Sequence, residues 1–179
     1  AQAARSRTTS ARAVPSVDVP GGTGQLPGST YGGSSADSGR TYRPASTAGM
    51  ACPVGTVHSF ADTWLAARSG GRRHQGTDVF APYGSTAYAI ADGVVDRVGN
   101  GGLGGITLWI RSDRGDRFYY AHNAANLVAV GDRVSAGQPV AKVGKTGNAA
   151  TTPPHVHFEA HPAGGAAANP YPVLKTLCG

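Results

Sequence analysis

An all-β, antiparallel fold is what the sequence predicts, on three observations. Glycine and proline occupy 27 and 12 of the 179 positions, about twice their usual share, and that mixture favours turns over helices. Short apolar runs alternate with polar residues and stop at Gly, Asn or Asp, the signature of strands joined by tight turns. No apolar pattern at helical spacing lasts for the length of an ordinary helix; only Phe60 to Ala67 reads as a helical turn.

More than half of residues 1–50 are Gly, Pro, Ser or Thr, and Tyr31 and Tyr42 are their only aromatics. Too little apolar surface is present to offset the entropy of ordering, so residues 1–50 are expected to form a disordered tail or linker, followed by one folded domain at 51–179. In that domain Thr86-Ala-Tyr-Ala-Ile-Ala and Gly93-Val-Val-Asp-Arg-Val read as strands. Ile106-Thr-Leu-Trp-Ile alternates with period 2, and Arg117-Phe-Tyr-Tyr-Ala-His follows it across the turn formers Asp113-Arg-Gly-Asp, which predicts a hairpin. Val128 to Gly144 repeats the order strand, turn, short strand. Cys52 and Cys178 stand at the two borders of the domain, a placement that suggests a disulfide clasp. Oxidised, it would constrain the unfolded chain by roughly 4–5 kcal/mol at most and would place the protein outside the cytoplasm.

The net charge is +6 and the isoelectric point near 9.7, but the charge is thinly spread. Residues 1–50 carry five Arg against two Asp, and no basic run or basic helix appears anywhere, which argues against a nucleic-acid partner. No apolar run approaches the roughly 18–20 residues of a membrane-spanning helix. The opening Ala-Gln-Ala-Ala-Arg-Ser-Arg lacks the apolar stretch of a secretory signal. A weakly basic, secreted or cell-wall-associated monomer that meets an anionic polymer is the expectation.

Five residues carry the chemistry: His74 and Asp78 in His-Gln-Gly-Thr-Asp, His122 in Tyr-Ala-His, and His155 and His157 in His-Val-His. In an extended chain alternate side chains share a face, so His155 joins His157 and His74 joins Asp78. A catalytic zinc site keeps three His or carboxylate ligands and an open fourth position. Three of the five suffice as ligands, leaving two for proton transfer and oxyanion stabilisation. Spacing alone does not say which histidine plays which part.

The series of motifs comprises His74-Gln-Gly-Thr-Asp78, Ala89-Ile-Ala-Asp-Gly-Val-Val, Tyr120-Ala-His122, Val130-Gly-Asp-Arg-Val-Ser-Ala-Gly-Gln, Gly144-Lys-Thr-Gly147 and His155-Val-His-Phe-Glu159. In order and spacing it resembles the lysostaphin-type (LytM-like) zinc metallopeptidases, with coverage from about Val57 to Leu174. The resemblance implies a duplicated-hybrid-motif β fold with its site in a groove on an antiparallel sheet. It implies His74, Asp78 and His157 as ligands of one Zn²⁺, and His122 and His155 as the catalytic pair, one helping to deprotonate the metal's water and both stabilising the tetrahedral intermediate. The substrate it implies is the peptide part of bacterial peptidoglycan, cleaved between short cross-linking residues. Thr151-Thr-Pro-Pro departs from the family pattern, in which a Gly and a single Pro are commoner, so the loop beside His155 is expected to differ in shape.

Other features take plainer readings. His58 and His161 are expected to be packed or solvated side chains, and Glu159 to orient a neighbour rather than act as a base. Gly144-Lys-Thr-Gly147 lacks the frame of a phosphate loop and reads as a tight turn. Arg72 and Arg73 are either contacts for a substrate carboxylate or solvated charges; Trp64 and Trp109 are packing residues. A catalytically silent peptidoglycan-binding regulator is the alternative function, although such relatives lose ligands and this chain has all five site residues. A biotinyl or lipoyl carrier is disfavoured because no modifiable Lys stands at a hairpin tip in a Met-Lys-Met or Asp-Lys-Ala frame.

Overall fold

A computed structural model describes residues 39–55 and 58–179. The expected tail lies outside the described residues up to position 38. From 39 to 50 the chain is packed on the domain instead: Tyr42 is 3% exposed, its hydroxyl donates to Asp116 Oδ2 (2.7 Å), and its ring meets the Phe118 ring edge-on. One aromatic with a ready partner is enough to order a neighbourhood whose composition is otherwise that of a linker.

Nine strands form among the described residues: β1 (Thr77–Phe80), β2 (Thr86–Tyr88), β3 (Gly93–Gly101), β4 (Gly105–Ser112), β5 (Arg117–Asn123), β6 (Ala125–Asn126), β7 (Arg133–Val134), β8 (Pro139–Lys142) and β9 (His155–His161). They make a six-stranded sheet in the order β1-β9-β5-β4-β3-β7 and a three-stranded sheet β2-β8-β6, with all named pairings antiparallel. The all-β class is as expected, and the turn at 113–116 closes the β4–β5 hairpin.

Two local expectations differ. Phe60 to Ala67 forms no helix, only a turn at Trp64 and Leu65. An unforeseen helix, α1 (Tyr171–Cys178), closes the chain and buries Val173 and Leu174. Its eight residues are too few for a periodic signal, and their helicity rests on packing.

Period-2 alternation gives the large sheet two unlike faces. On β9, Val156, Phe158 and Ala160 are wholly buried and join Val79, Leu108, Ile110, Phe118 and Tyr120 in one apolar cluster with Ile90 and Val140. His155, His157, Glu159 and His161 are the alternate residues of the same strand and take the opposite face. Because β9 lies between β1 and β5, Asp78 stands directly across from His157, and Phe80 from His155. Core formation thus places the polar residues of three strands side by side.

His122 breaks this alternation. With Phe118 and Tyr120 pointing inward, strict alternation would send His122 into the core as well. The β4–β5 register slips between Ile106 and Leu108, and His122 adopts φ +64°, so this bulge turns its imidazole to the other face.

Candidate metal centre

His74 precedes β1 in a loop tied to residues 63–66: its N–H donates to the Ala66 carbonyl (2.9 Å) and its carbonyl accepts from Leu65 N–H (2.8 Å). Its ring is 3% exposed, with Nδ1 3.0 Å from the Thr63 carbonyl and Nε2 3.0 Å from Asp78 Oδ1. His157 presents Nδ1 to the same oxygen at 2.9 Å and to His74 Nε2 at 2.9 Å. Gly76 makes this closeness possible, since a Cβ there would collide with the Phe158 carbonyl oxygen and the His157 ring.

The three donor atoms of His74, Asp78 and His157 form one group within reach of a single ion. A tetrahedral zinc with ligands at about 2.0–2.2 Å sets its donors roughly 3.3–3.6 Å apart. The observed 2.9–3.0 Å falls a few tenths of an ångström short of that range. Each donor's remaining atom is also engaged, as metal ligands require: His74 Nδ1 faces Thr63, Asp78 Oδ2 accepts from Arg68 Nη2 (2.8 Å), and His157 Nε2–H donates to Glu159 Oε1 (2.9 Å). Donor types and outer partners fit zinc, and the donor atoms need only move apart by a few tenths of an ångström to take it.

Electrostatics agree. Burial works against the Asp78 charge, but hydrogen bonds from His157 and His74 outweigh it and hold the carboxyl well below its ordinary range. Burial likewise opposes a charged His157, yet Asp78 and Glu159 raise the ring to about 9. Positive charge is favoured at this point of the fold.

His122 and His155 stand beside the trio, their rings 4.9 Å apart and the His122 ring 6.0 Å from that of His157. Nδ1–H of His122 donates to the Thr146 carbonyl (2.9 Å) and that of His155 to the Pro153 carbonyl (2.9 Å), which leaves each Nε2 unprotonated. His155 Nε2 is 3.9 Å from Asp78 Oδ1. Burial pushes both rings down, His122 to about 4, so both are neutral at neutral pH. The structure therefore brings all five sequence-predicted site residues together.

Gly144 to Gly147, read from sequence as a tight turn, instead places Gly144 in a bridge to His155 and Gly147 at the start of a 3-10 helix (Gly147–Ala149), and this segment holds the end of β5 in place. The Thr146 carbonyl accepts from the His122 ring, while Thr146 Oγ1 accepts from Ile106 N–H and donates to the Asn123 carbonyl. Pro153 and Pro154 line a cavity of about 350 Å³ beside His155, together with His58, Ser59, Phe80 and Ala81. Phe80 packs on the His155 ring at 5.0 Å. Arg72 and Arg73 are exposed and make only local contacts. His58 is packed between the carbonyls of Gly55 and Cys178. Trp109 packs against Tyr119 and under Arg117. Sequence reasoning missed Arg68 and Thr63, for which nothing in the local pattern gives a signal. Cys52 and Cys178 are joined, with Cα atoms 5.1 Å apart, so their sulfurs are not free donors.

Comparison with known proteins agrees in residue range with this site. The profile of Peptidase family M23 matches residues 72–170. The chain is 36% identical over 135 residues to an L-Ala--D-Glu endopeptidase of Bacillus subtilis, covering 69% of this chain and 41% of that protein. The chain spans well under half the length of the first curated relatives it matches. Among solved structures, the catalytic domain of the antimicrobial peptidase lysostaphin from Staphylococcus simulans is similar at 30% identity and TM-score 0.57, covering 66% of this chain and 92% of that one. A catalytic-domain mutant of the prophage-encoded M23 protein EnpA from Enterococcus faecalis is similar at 31% identity and TM-score 0.58, covering 68% of this chain and 95% of that one.

Proposed function

Because this chain belongs to peptidase family M23, we propose that it is a zinc-dependent metalloendopeptidase that hydrolyses peptide cross-links of bacterial peptidoglycan. One observation carries the reading: three donor atoms on His74, Asp78 and His157 converge on one point while the rings of His155 and His122, each bonded through Nδ1 to a backbone carbonyl, stand beside it. Bound there, zinc supplies Lewis-acid chemistry, polarising a peptide carbonyl and lowering the pKa of water to about 7.

The chain's own groups do the rest. His155 and His122 start neutral, and one accepts the proton of the attacking water at Nε2. The resulting Nε2–H faces the oxygen on which negative charge develops and then returns the proton to the leaving amine. Backbone carbonyls of Thr146 and Pro153 keep both rings in the tautomer this work needs. The proposal includes a secreted or cell-wall-associated monomer, the setting in which a Cys52–Cys178 bridge persists.

The test pairs zinc content by elemental analysis with release of new amines from purified peptidoglycan, with and without chelator. About one zinc per chain and chelator-sensitive release are expected. A chain that neither retains nor takes up zinc overturns the proposal; zinc without hydrolysis on several wall types turns it into the binding-regulator reading.

A further inference from the structure

We infer that His161 and Glu159, with Arg68 on the opposite side, are positioning residues that decide which atoms His157 and Asp78 present to the metal. The inference rests on the zinc reading of the site. The Glu159 carboxylate bridges two rings of its own strand: Oε1 accepts from His157 Nε2–H (2.9 Å) and Oε2 from His161 Nε2–H (2.8 Å). His161 is anchored in turn, with Nδ1 2.8 Å from the Gly165 carbonyl and the Trp109 ring packed against it at 5.0 Å. A hydrogen-bonded chain therefore runs from His157 along the face of β9 to the loop that follows it. Its three side chains are only 12–15% exposed.

The chemistry gives this chain a purpose. His157 turns Nδ1 toward the trio, so its proton must sit on Nε2; a carboxylate held at Nε2 selects that tautomer and makes the ring a stronger donor. A carboxylate gripped at one oxygen is free to swing, and His161 removes that freedom by gripping the other. Arg68 acts likewise across the site, since by occupying Asp78 Oδ2 it leaves Oδ1 alone to face the two imidazoles. A merely structural Glu159–His161 pair would tie β9 to its loop and leave the metal indifferent to its loss.

The test is zinc affinity of metal-free full chain, measured by competition with a chromophoric chelator at constant pH, with rescue by a conservative variant as the second readout. Glu159→Gln should weaken zinc binding by roughly 10–100-fold. His161→Leu should weaken binding in the same direction, and His161→Gln, which restores a donor to Glu159, should recover much of the loss. Should Glu159→Gln fail to fold, the two His161 variants, at the outer end of the chain of contacts, still decide the matter. A zinc-binding wild type whose affinity is unchanged in His161→Leu overturns the inference and leaves the proposed function standing; a wild type that takes up no zinc removes both.

Discussion

His157 and His155 stand two residues apart on one strand, yet their surroundings assign them different work. His157 shares Asp78 Oδ1 with His74, whereas His155 is anchored to the Pro153 carbonyl and stays 3.9 Å from that oxygen. His157→Ala should lose zinc and activity together, and His155→Ala should lose activity while keeping the metal. Metal content and amine release measured on both variants check this; equal zinc in the two would overturn the division of roles. His122 adds a pH signature. Burial brings its folded pKa down to about 4 from the ordinary 6.5, so the unfolded chain binds the extra proton between those values. The stability contributed by the neutral ring is complete above about pH 6.5 and is lost as pH falls toward 4. The thermal midpoint of metal-free protein should drop across that window, and less steeply in His122→Gln.

At the level of elements, the site depends on a defect in a sheet. The bulge at the end of β5 turns His122 away from the core, and a residue other than glycine at φ +64° holds there only because neighbours enforce it. Thr146 is the enforcer, linking Ile106 N–H, the Asn123 carbonyl and the His122 ring. Gly144 lets this segment approach, since a Cβ there would collide with the backbone of residues 122–124. Thr146→Val keeps the shape and removes the hydroxyl, leaving Ile106 N–H without its partner. It should destabilise the domain by about 1–3 kcal/mol in denaturant titration. It should also lower kcat with zinc content unchanged, because the ring it positions is not a ligand.

Over the whole molecule, the clasp joins the segment before the sheet to the last turn of α1, with the two cysteines 126 positions apart in sequence. Reduction should lower stability by up to roughly 4–5 kcal/mol, read as a shift of the guanidinium midpoint with and without reductant. Two free thiols found by titration before reduction would remove the clasp from the account. The same ends of the chain show where composition misleads. Residues 39–50 read as linker, but Tyr42 and the Arg114 contacts to the Ser46 and Ala48 carbonyls hold them on the domain. Composition averages over a window, whereas ordering needs only a few well-partnered groups.

Residue type and spacing were enough for the antiparallel class, the β4–β5 hairpin and the choice of five residues that folding brings together. Period 2 is a local property of an extended chain, and His, Asp and His are the donors zinc takes. Tertiary structure alone decided the rest. That Asp78 lies across from His157 is a matter of strand order, which no local pattern encodes. That His122 faces the site contradicts its own alternation and follows from a register slip between β4 and β5, where the segment at 144–147 packs closely. Arg68 and His161 gain their meaning only from the atoms folding brings to them, because a hydrogen bond is specified by distance in space and not by distance along the chain.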